Sequence, residues 1–144
     1  MKNKICLVLI SFVLLIEIFT NSKTAYAVPP VKNPAPSDYS TGLSWEEAQE
    51  LKKPIVVNFY VDWCHYCKRL APILDKAREN YDSEFSFVFI DCDDPQNSAL
   101  VNQFRIRAYP SVYIVDKNKK VQVSYSSMGH YDSFKQELDK FLKK

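Results

Sequence analysis

The sequence predicts an α/β fold in which a central mixed β-sheet is flanked by helices on both faces. Strand-like apolar runs alternate with amphipathic helical stretches, and this alternation is typical of helices packed against a sheet. The last two strand-like runs are joined by the turn-forming segment 116–120, which predicts an antiparallel hairpin. Hydrophobic residues make up 47% of the 144 residues and charged residues 25%, the balance of one globular domain.

The first 27 residues have the pattern of a secretory signal peptide. Lys2 and Lys4 precede an apolar run over 5–16, and segment 25–27 (AYA) is a small-x-small cleavage signal. The apolar run is shorter than the ~20 residues that a membrane-spanning helix needs, so cleavage after Ala27 is expected, with an uncleaved membrane anchor as the alternative. The predicted location is exported, periplasmic or extracytoplasmic, where disulfide bonds form and persist.

Residues 28–43 are interpreted as a proline-rich linker or extended arm. Four prolines fall in this stretch and no apolar periodicity accompanies them, so no packed element is expected there. The folded domain is therefore predicted over 44–144. The signal segment 1–27 holds three lysines and one glutamate, which accounts for the net charge of +2. The remaining chain is balanced in charge, and no basic patch points to nucleic acid.

The first half of the domain predicts a helix, a strand and a second helix. The segment 44–47 (SWEE) fits a capping box, and its helix should run to about Lys52. The run 55–61 (IVVNFYV) is apolar almost throughout, as expected for a strand buried on both faces. A long amphipathic helix follows over 63–80, and Pro72 should kink it.

The second half of the domain completes the sheet. A second buried strand is predicted over 85–90 and a helix over 95–104. Two strands follow, at 111–115 and 121–125, and a final amphipathic helix covers 131–142. The element order is then α-β-α-β-α-β-β-α, which indicates the mixed sheet described above.

Cys64 and Cys67 stand where the first strand meets the long helix. A C-x-x-C spacing alone also fits half a zinc site or a structural disulfide. A helix N-terminus, however, carries unpaired N–H groups and a partial positive charge, and this environment stabilises a thiolate. We therefore interpret Cys64, at the exposed end, as the nucleophile. Cys67, within the first helical turn, would attack the mixed disulfide at Cys64 and release the substrate.

Zinc binding and a purely structural disulfide are the competing interpretations of the pair. A closed zinc site needs four ligands, and beyond the pair only Cys92, His65 and His130 remain, so no metal and no cofactor is expected. A disulfide that closes so short a loop gains little stability. Cys92, at the end of the second strand, is expected to be a buried, inert thiol, with a resolving or regulatory thiol as the alternative. His130 is expected on the surface.

The residues around the pair carry a family resemblance. Residues 57–68 (VNFYVDWCHYCK) resemble the active-site segment of thioredoxins and protein disulfide isomerases. Residues 71–74 (APIL) resemble the kinked second helix of thioredoxin, and 106–111 (IRAYPS) the loop with the cis-proline of that family. Gly129 matches its late glycine before the last helix. The resemblance covers about 44–144 and implies the thioredoxin fold with disulfide exchange as its activity.

The same resemblance implies roles for the residues beside the cysteines. Trp63 would shield the pair and shape the docking surface. Pro110 would be cis and face the cysteines, while the backbone of Tyr109 would pair with a substrate backbone. His65 and Tyr66, between the two cysteines, would tune the redox potential, and a solvated side chain is the alternative for His65.

Asn58 departs from the family pattern. Relatives carry a buried Asp or Glu at this place, which helps to move a proton to or from the second cysteine, and Phe89 replaces a lysine near it. Asn cannot accept a proton at neutral pH. Water or Asp62 would then serve as the proton relay, or proton transfer would be slower. Asp62 is otherwise interpreted as an exposed charge at the strand end.

These observations predict an exported thiol–disulfide oxidoreductase that acts as a monomer on exported proteins carrying thiols or disulfides. A reductant or electron carrier fed by a membrane-bound redox partner is the favoured form. A disulfide oxidase or isomerase is an alternative, because potentials in this family span about −270 to about −120 mV. A second alternative is a binding module with a structural disulfide, which Asn58 and Phe89 favour.

Overall fold

A computed structural model of the chain shows four strands in one mixed sheet, in the order β2-β1-β3-β4. The structure describes residues 34–39, 42–118, 120–125 and 130–143, without the side chains of 123–125. The predicted signal peptide over 1–27 and the predicted late glycine, Gly129, lie outside the described residues. Among the helices that are described, none is long and apolar enough to cross a membrane.

The described helices and strands follow the predicted order. In chain order they are α1 (Trp45–Glu50), β1 (Ile55–Tyr60), α2 (His65–Tyr81), β2 (Ser86–Asp91), α3 (Ser98–Gln103), β3 (Ser111–Val115), β4 (Val121–Tyr125) and α4 (Tyr131–Leu142). Short 3₁₀ helices add Pro36–Asp38 and Pro95–Asn97. The single helix predicted over 95–104 is therefore wrong in its first turn, which is a 3₁₀ turn capped by the Asp94 carboxylate on the N–H of Gln96.

Strand β1 is the centre of the sheet. It pairs in parallel with β2, starting at Ile55 opposite Ser86, and antiparallel with β3. Strand β4 pairs antiparallel with β3, so the hairpin predicted from segment 116–120 is confirmed. Every residue of β1 is buried, which confirms the strand buried on both faces. The carboxyl ends of β1 and β2 therefore meet at one edge of the sheet, next to the start of α2.

Helices cover both faces of the sheet, as predicted. Helices α2 and α4 pack on one face, around a cluster that includes Leu74, Phe85 and Phe134. Helices α1 and α3 pack on the other, with Phe59 in the centre of that cluster. These two apolar layers pack on both faces of β1. Because the strand is fixed between them, the residues at its carboxyl end have a fixed position.

The predicted capping box at the start of α1 is confirmed. The Ser44 hydroxyl accepts a hydrogen bond from the N–H of Glu47 at 3.2 Å, and the Glu47 carboxylate accepts one from the N–H of Ser44 at 2.9 Å. Two N–H groups that the helix itself leaves unpaired are thus satisfied reciprocally. The helix ends at Glu50 rather than near Lys52, which has a left-handed backbone with φ of 52°.

The expectation of an arm without packed structure is wrong for Pro36–Asp38. This stretch forms a 3₁₀ helix that contacts α2, and Pro36 is buried. Ser37 donates two hydrogen bonds to Asp62, from its N–H at 3.1 Å and from its hydroxyl at 2.7 Å. Proline-rich composition predicted a linker, but these long-range contacts bind the segment to the domain.

The chain next passes along the free edge of β2. The N–H of Leu43 donates to the carbonyl of Phe87 at 2.8 Å, which satisfies one acceptor of the edge strand. Gly42 comes so close that a Cβ there would lie 2.5 Å from the Phe89 ring. Glycine is required at this position because the backbone approaches the strand more closely than any side chain would allow.

Candidate active site

The two cysteines of the C-x-x-C pair are held by the junction between β1 and α2. After β1 the chain makes a turn, in which the N–H of Cys64 donates to the carbonyl of Val61 at 3.2 Å. Cys64 is the residue that caps α2, and its Sγ accepts the N–H of Cys67 at 3.2 Å. The sulfur thus takes the place of a capping oxygen, where unpaired N–H groups and the helix dipole stabilise negative charge.

The two thiols differ in burial and acidity. Cys64 is 7% exposed and Cys67 is 2% exposed, and both thiols are free. Burial, followed by the hydrogen bond with Cys64, raises the pKa of Cys67 to about 12. Cys67 therefore keeps its proton at neutral pH, and Cys64 is the sulfur with a capping role. The expectation that Cys64 lies at an exposed end is wrong in degree, because the loop at Tyr109 packs against the thiol cluster.

The loop before β3 lies directly against the cysteines. The Cys64 thiol donates to the carbonyl of Tyr109 at 3.6 Å, and the Tyr109–Pro110 peptide bond is cis. The Ser111 hydroxyl donates to the carbonyl of Ala108 at 2.7 Å and closes the turn. The structure thus brings Tyr109 to the pair, with its carbonyl at Cys64, and the cis Pro110 follows it in the same loop.

Trp63 flanks the cysteine pair, and its side chain is 69% exposed. Its indole Nε1–H donates to the Asp93 carboxylate at 2.8 Å, and its ring meets that of Tyr109 edge to face at 6.2 Å. The sequence offered Asp93 only as one of two residues, with Asp94, before the start of the helix predicted over 95–104, and not as a site residue. Asp93 follows β2. Because parallel strands end at the same edge of a sheet, its position directly after the second strand could have indicated that it lies near the cysteines.

The two residues between the cysteines point to solvent. His65 and Tyr66 are both exposed, and their rings meet edge to face at 5.8 Å. Together with Trp63 they form an exposed aromatic rim beside a nearly buried Cys64. A partner that approaches Cys64 therefore meets aromatic side chains first.

Asp62 is half-buried, not exposed as predicted. Each of its carboxylate oxygens accepts one of the two hydrogen bonds from Ser37. This candidate proton relay thus binds the N-terminal segment. Ser37 did not emerge from the sequence either, since it lies in a proline-rich stretch without periodicity.

Asn58 is a buried polar side chain in an apolar strand. It is 4% exposed, and its Oδ1 has no hydrogen-bond partner among the described residues. Phe89 is its register partner on β2, so the two residues are neighbours in the sheet. An unsatisfied buried oxygen costs about 1–3 kcal/mol, so this atom calls for a partner such as water.

Cys92 is half-buried and packs against the cluster that contains Cys64 and Cys67. The expectation of a fully buried thiol is therefore wrong, because β2 has ended and the chain turns outward. The N–H of Cys92 donates to the carbonyl of Tyr60 at 2.9 Å. Burial raises the pKa of Cys92 to about 11, so this thiol also stays protonated at neutral pH.

Within the described part of the chain, no three His, Cys, Asp or Glu side chains converge on a position that could hold a metal ion. His130 lies exposed at the start of α4, as predicted for a surface residue.

The protein-family model described as Thioredoxin matches residues 39–143 of the chain. A mitochondrial thioredoxin domain-containing protein of Schizosaccharomyces pombe is 33% identical over 91 residues, which cover 63% of this chain and 25% of that protein. A protein disulfide-isomerase of Ricinus communis is 37% identical over 70 residues, covering 49% of this chain and 14% of the relative.

A chloroplastic thioredoxin-like protein of Arabidopsis thaliana is 32% identical over 78 residues, covering 54% of this chain and 30% of that protein. The matched segments thus span less than a third of the length of these three curated relatives.

Solved structures show the same fold. The germline-specific thioredoxin Deadhead of Drosophila melanogaster superposes with a TM-score of 0.55 at 23% identity, covering 66% of this chain and 86% of that one. A thioredoxin of Halobacterium salinarum gives a TM-score of 0.56 at 20% identity, covering 65% of this chain and 79% of that one. These likenesses concern the arrangement of the sheet and its helices.

Proposed function

The chain belongs to the thioredoxin family of thiol–disulfide oxidoreductases, and from this premise we propose that it is exported and exchanges disulfides with exported proteins. Cys64 is the nucleophile and Cys67 the resolving thiol. The observation that carries the assignment is the Cys64 Sγ in the capping position of α2, where it accepts the N–H of Cys67. The signal-peptide pattern over residues 1–27 supports export.

The order of the reaction steps follows from the different environments of the Cys64 and Cys67 thiols. The Cys64 thiolate attacks one sulfur of a substrate disulfide, a Cys64–substrate bond forms, and the first substrate thiolate leaves. Cys67 then loses its proton and attacks the Cys64 sulfur. The Cys64–Cys67 disulfide forms, and the second substrate thiolate leaves and takes up a proton. The protein is oxidised by two electrons and the substrate is reduced.

The surroundings of the pair support a protein substrate. The Tyr109 carbonyl lies beside Cys64 and accepts its thiol, so an extended substrate chain that reaches Cys64 would meet the Tyr109 backbone. The exposed rings of Trp63 and Tyr66 offer apolar contact area next to it. His65, between them, is accessible to the same partner. A folded protein with an exposed disulfide loop fits this surface.

We propose the reducing direction, with the monomeric protein as a reductant or electron carrier that a membrane-bound redox partner recharges. Strong oxidants of this kind stabilise their reduced form. In this chain burial raises the pKa of Cys67 to about 12, so the reduced form can be stabilised through one thiolate, that of Cys64 at the start of α2, and the measured potential decides the direction. A measured potential below about −200 mV supports the reductant, and one above about −150 mV favours an oxidase.

A trap experiment tests the proposed roles. Cys67→Ala in the full-length chain should accumulate mixed disulfides through Cys64 with exported proteins, visible after acid quenching on non-reducing gels and identified by mass spectrometry. The double variant Cys64→Ser/Cys67→Ala is the matched control and should trap none. Equal trapping by both chains, or insulin reduction by wild type no faster than by Cys64→Ser, would refute the oxidoreductase and favour the binding module.

A further inference from the structure

Cys92 takes no part in the exchange steps above, yet its side chain lies at the site. It follows β2 directly and packs against the cluster that contains Cys64 and Cys67. Its N–H donates to the carbonyl of Tyr60 on β1 at 2.9 Å, and its thiol donates to the carbonyl of Ile90 on β2 at 3.8 Å. The backbone and the sulfur of Cys92 are therefore both held, at the edge of the sheet where the cysteine pair lies.

The phenol of Tyr109 reaches Cys92 from the loop before β3. Tyr109 packs against the same thiol cluster, and its hydroxyl forms a hydrogen bond with the Cys92 side chain. The Cys92 S–H already points to the carbonyl of Ile90, so the sulfur is the acceptor and the phenol is the donor. This bond joins the end of β2 to the loop that lies against the cysteine pair.

Tyr109 makes two further contacts that bear on the nucleophile. Its carbonyl accepts the Cys64 thiol at 3.6 Å, and its ring meets the ring of Trp63 edge to face at 6.2 Å. Trp63 in turn donates from Nε1 at 2.8 Å to Asp93, the residue after Cys92. Two consecutive residues at the end of β2 thus hold the rings of Tyr109 and Trp63 beside the nucleophile.

The loop between α3 and β3 is closed by hydrogen bonds at its two ends. The N–H of Ile106 donates to a carbonyl of α3 at 3.1 Å, and the Ser111 hydroxyl donates to a carbonyl within the loop at 2.7 Å. Neither bond involves Tyr109, whose side chain is therefore positioned by the contacts described above. Among these contacts the hydrogen bond to Cys92 is the directional one, and it fixes the phenol at one point.

We propose that Cys92 is a positioning residue for protein substrates: its sulfur holds the phenol of Tyr109 and so keeps the Tyr109 carbonyl at Cys64. This inference rests on the proposed function, because it concerns how a substrate chain reaches the nucleophile. A protein disulfide approaches Cys64 with its flanking backbone and meets the Tyr109 loop, whereas a small disulfide needs only the sulfur. Cys92 gives up no proton and no electron in this role.

The kinetics of insulin reduction by the full-length chain, with dithiothreitol as the recycling reductant, test this role. Cys92→Ala should raise the KM for insulin by about three- to tenfold, the value of one neutral hydrogen bond, and leave kcat within about twofold. Cys92→Ser should restore KM to within about twofold of wild type, because a hydroxyl also accepts the phenol O–H. Tyr109→Phe, which keeps the ring and loses the hydroxyl, should raise KM as much as Cys92→Ala.

Three further measurements separate positioning from general damage. The rate at which reduced Cys92→Ala attacks 5,5′-dithiobis(2-nitrobenzoic acid) should stay within about twofold of wild type, because this small disulfide does not extend along the loop. Tyr81→Phe is the matched tyrosine control: it removes a hydroxyl that bonds Asp139 at the other end of α2, and it should leave the KM for insulin unchanged. The double variant Cys92→Ala/Tyr109→Phe should raise KM no further than either single variant, because both remove the same bond.

A KM of Cys92→Ala within about 1.5-fold of wild type would overturn the proposal, as would single effects that multiply in the double variant or equal slowing with the small disulfide. A Cys92→Ser chain as impaired as Cys92→Ala would also overturn it and would indicate a role for the thiol itself. These outcomes are distinct from failure of the proposed function, in which wild type would reduce insulin no faster than Cys64→Ser.

Discussion

The start of helix α2 lies beside the reactive thiols, and its later turns lie in an apolar layer. The polar atoms near the two ends also differ in their hydrogen bonding. At its start a sulfur replaces the capping oxygen, and the nearby Asn58 oxygen is left without a partner in the described structure. At its end Leu74 and Ala77 are fully buried, and the Tyr81 hydroxyl donates to Asp139 at 2.6 Å. The Tyr81 hydroxyl at the end of the helix is thus hydrogen-bonded, whereas the Asn58 oxygen near its start is not.

The difference indicates that the later turns of this helix contribute stability, whereas its first turn supports the chemistry of the thiols. The later turns anchor α2 to α4 and the sheet through apolar contacts, which contribute stability. The first turn gives up part of that stability to keep a thiol and a buried oxygen ready for chemistry. Substitutions at the two ends should therefore affect activity and stability separately.

The largest expected effect is at Cys64. Cys64→Ser should lower insulin-reduction activity on the order of 10³-fold or more, because the nucleophile is lost. Its stability should stay within about 0.5 kcal/mol of wild type, because Ser is a good helix cap. Cys64→Ala should be equally inactive and less stable by about 1 kcal/mol, since the cap is gone as well. Urea unfolding of the reduced chains measures this, and a Cys64→Ala chain as stable as wild type would show that the sulfur does not act as a cap.

The opposite pattern is expected at Leu74. Leu74→Ala should reduce the free energy of unfolding by about 2–5 kcal/mol, because a fully buried side chain leaves a cavity. The folded fraction should keep its rate of insulin reduction. Ile73→Ala, next to it and only partly buried, is the control and should cost less. A folded Leu74→Ala chain without activity would contradict the separation between the two ends.

The acidity of Cys67 predicts how stability depends on pH. Burial raises the pKa of Cys67 to about 12, whereas an unfolded thiol ionises near about 8.5. Above that lower value the unfolded chain releases the proton and the folded chain retains it. The reduced protein should therefore lose stability as the pH rises from about 9 towards 12, and Cys67→Ala should lose less. Thermal unfolding of both chains between pH 7 and 10 checks the sign, and parallel curves would contradict it.

The smallest expected effect concerns the satisfied end of the helix. Tyr81→Phe removes the hydroxyl that bonds Asp139, and Lys135 still binds that carboxylate at 2.6 Å. The expected loss is about 0.5–1.5 kcal/mol of unfolding free energy, with no change in activity. Tyr66→Phe, on the exposed rim, is the matched control and should leave stability unchanged. A larger loss at Tyr66 than at Tyr81 would reverse the comparison.

Local patterns in the sequence predicted much of the fold. The apolar run of β1, the capping box at Ser44 and the cysteine pair at the start of α2 each depend on residues within a few positions of one another. Such patterns act through backbone geometry, so they can be recognised without the tertiary structure.

The contacts that complete the site join residues far apart in the chain. Ser37 meets Asp62 across 25 positions, and Trp63 meets Asp93 across 30. The parallel ends of β1 and β2 explain the second contact, and a sequence without a known sheet order does not specify it. The contact between Ser37 and Asp62 depends on how a proline-rich segment packs, and no periodicity in the sequence predicts that packing.

The attachment of the N-terminal segment also decides where the protein can be labelled or immobilised. Ser37 is bound to Asp62, two residues before Cys64, so a tag placed just upstream of Pro34 would sit near the thiols. The end of α4 lines a surface cleft with Pro54, at the opposite end of β1. With about 3.3 Å per residue, β1 separates these two places by roughly 20 Å. A fluorophore or surface linker after Lys143 would leave the approach of redox partners open.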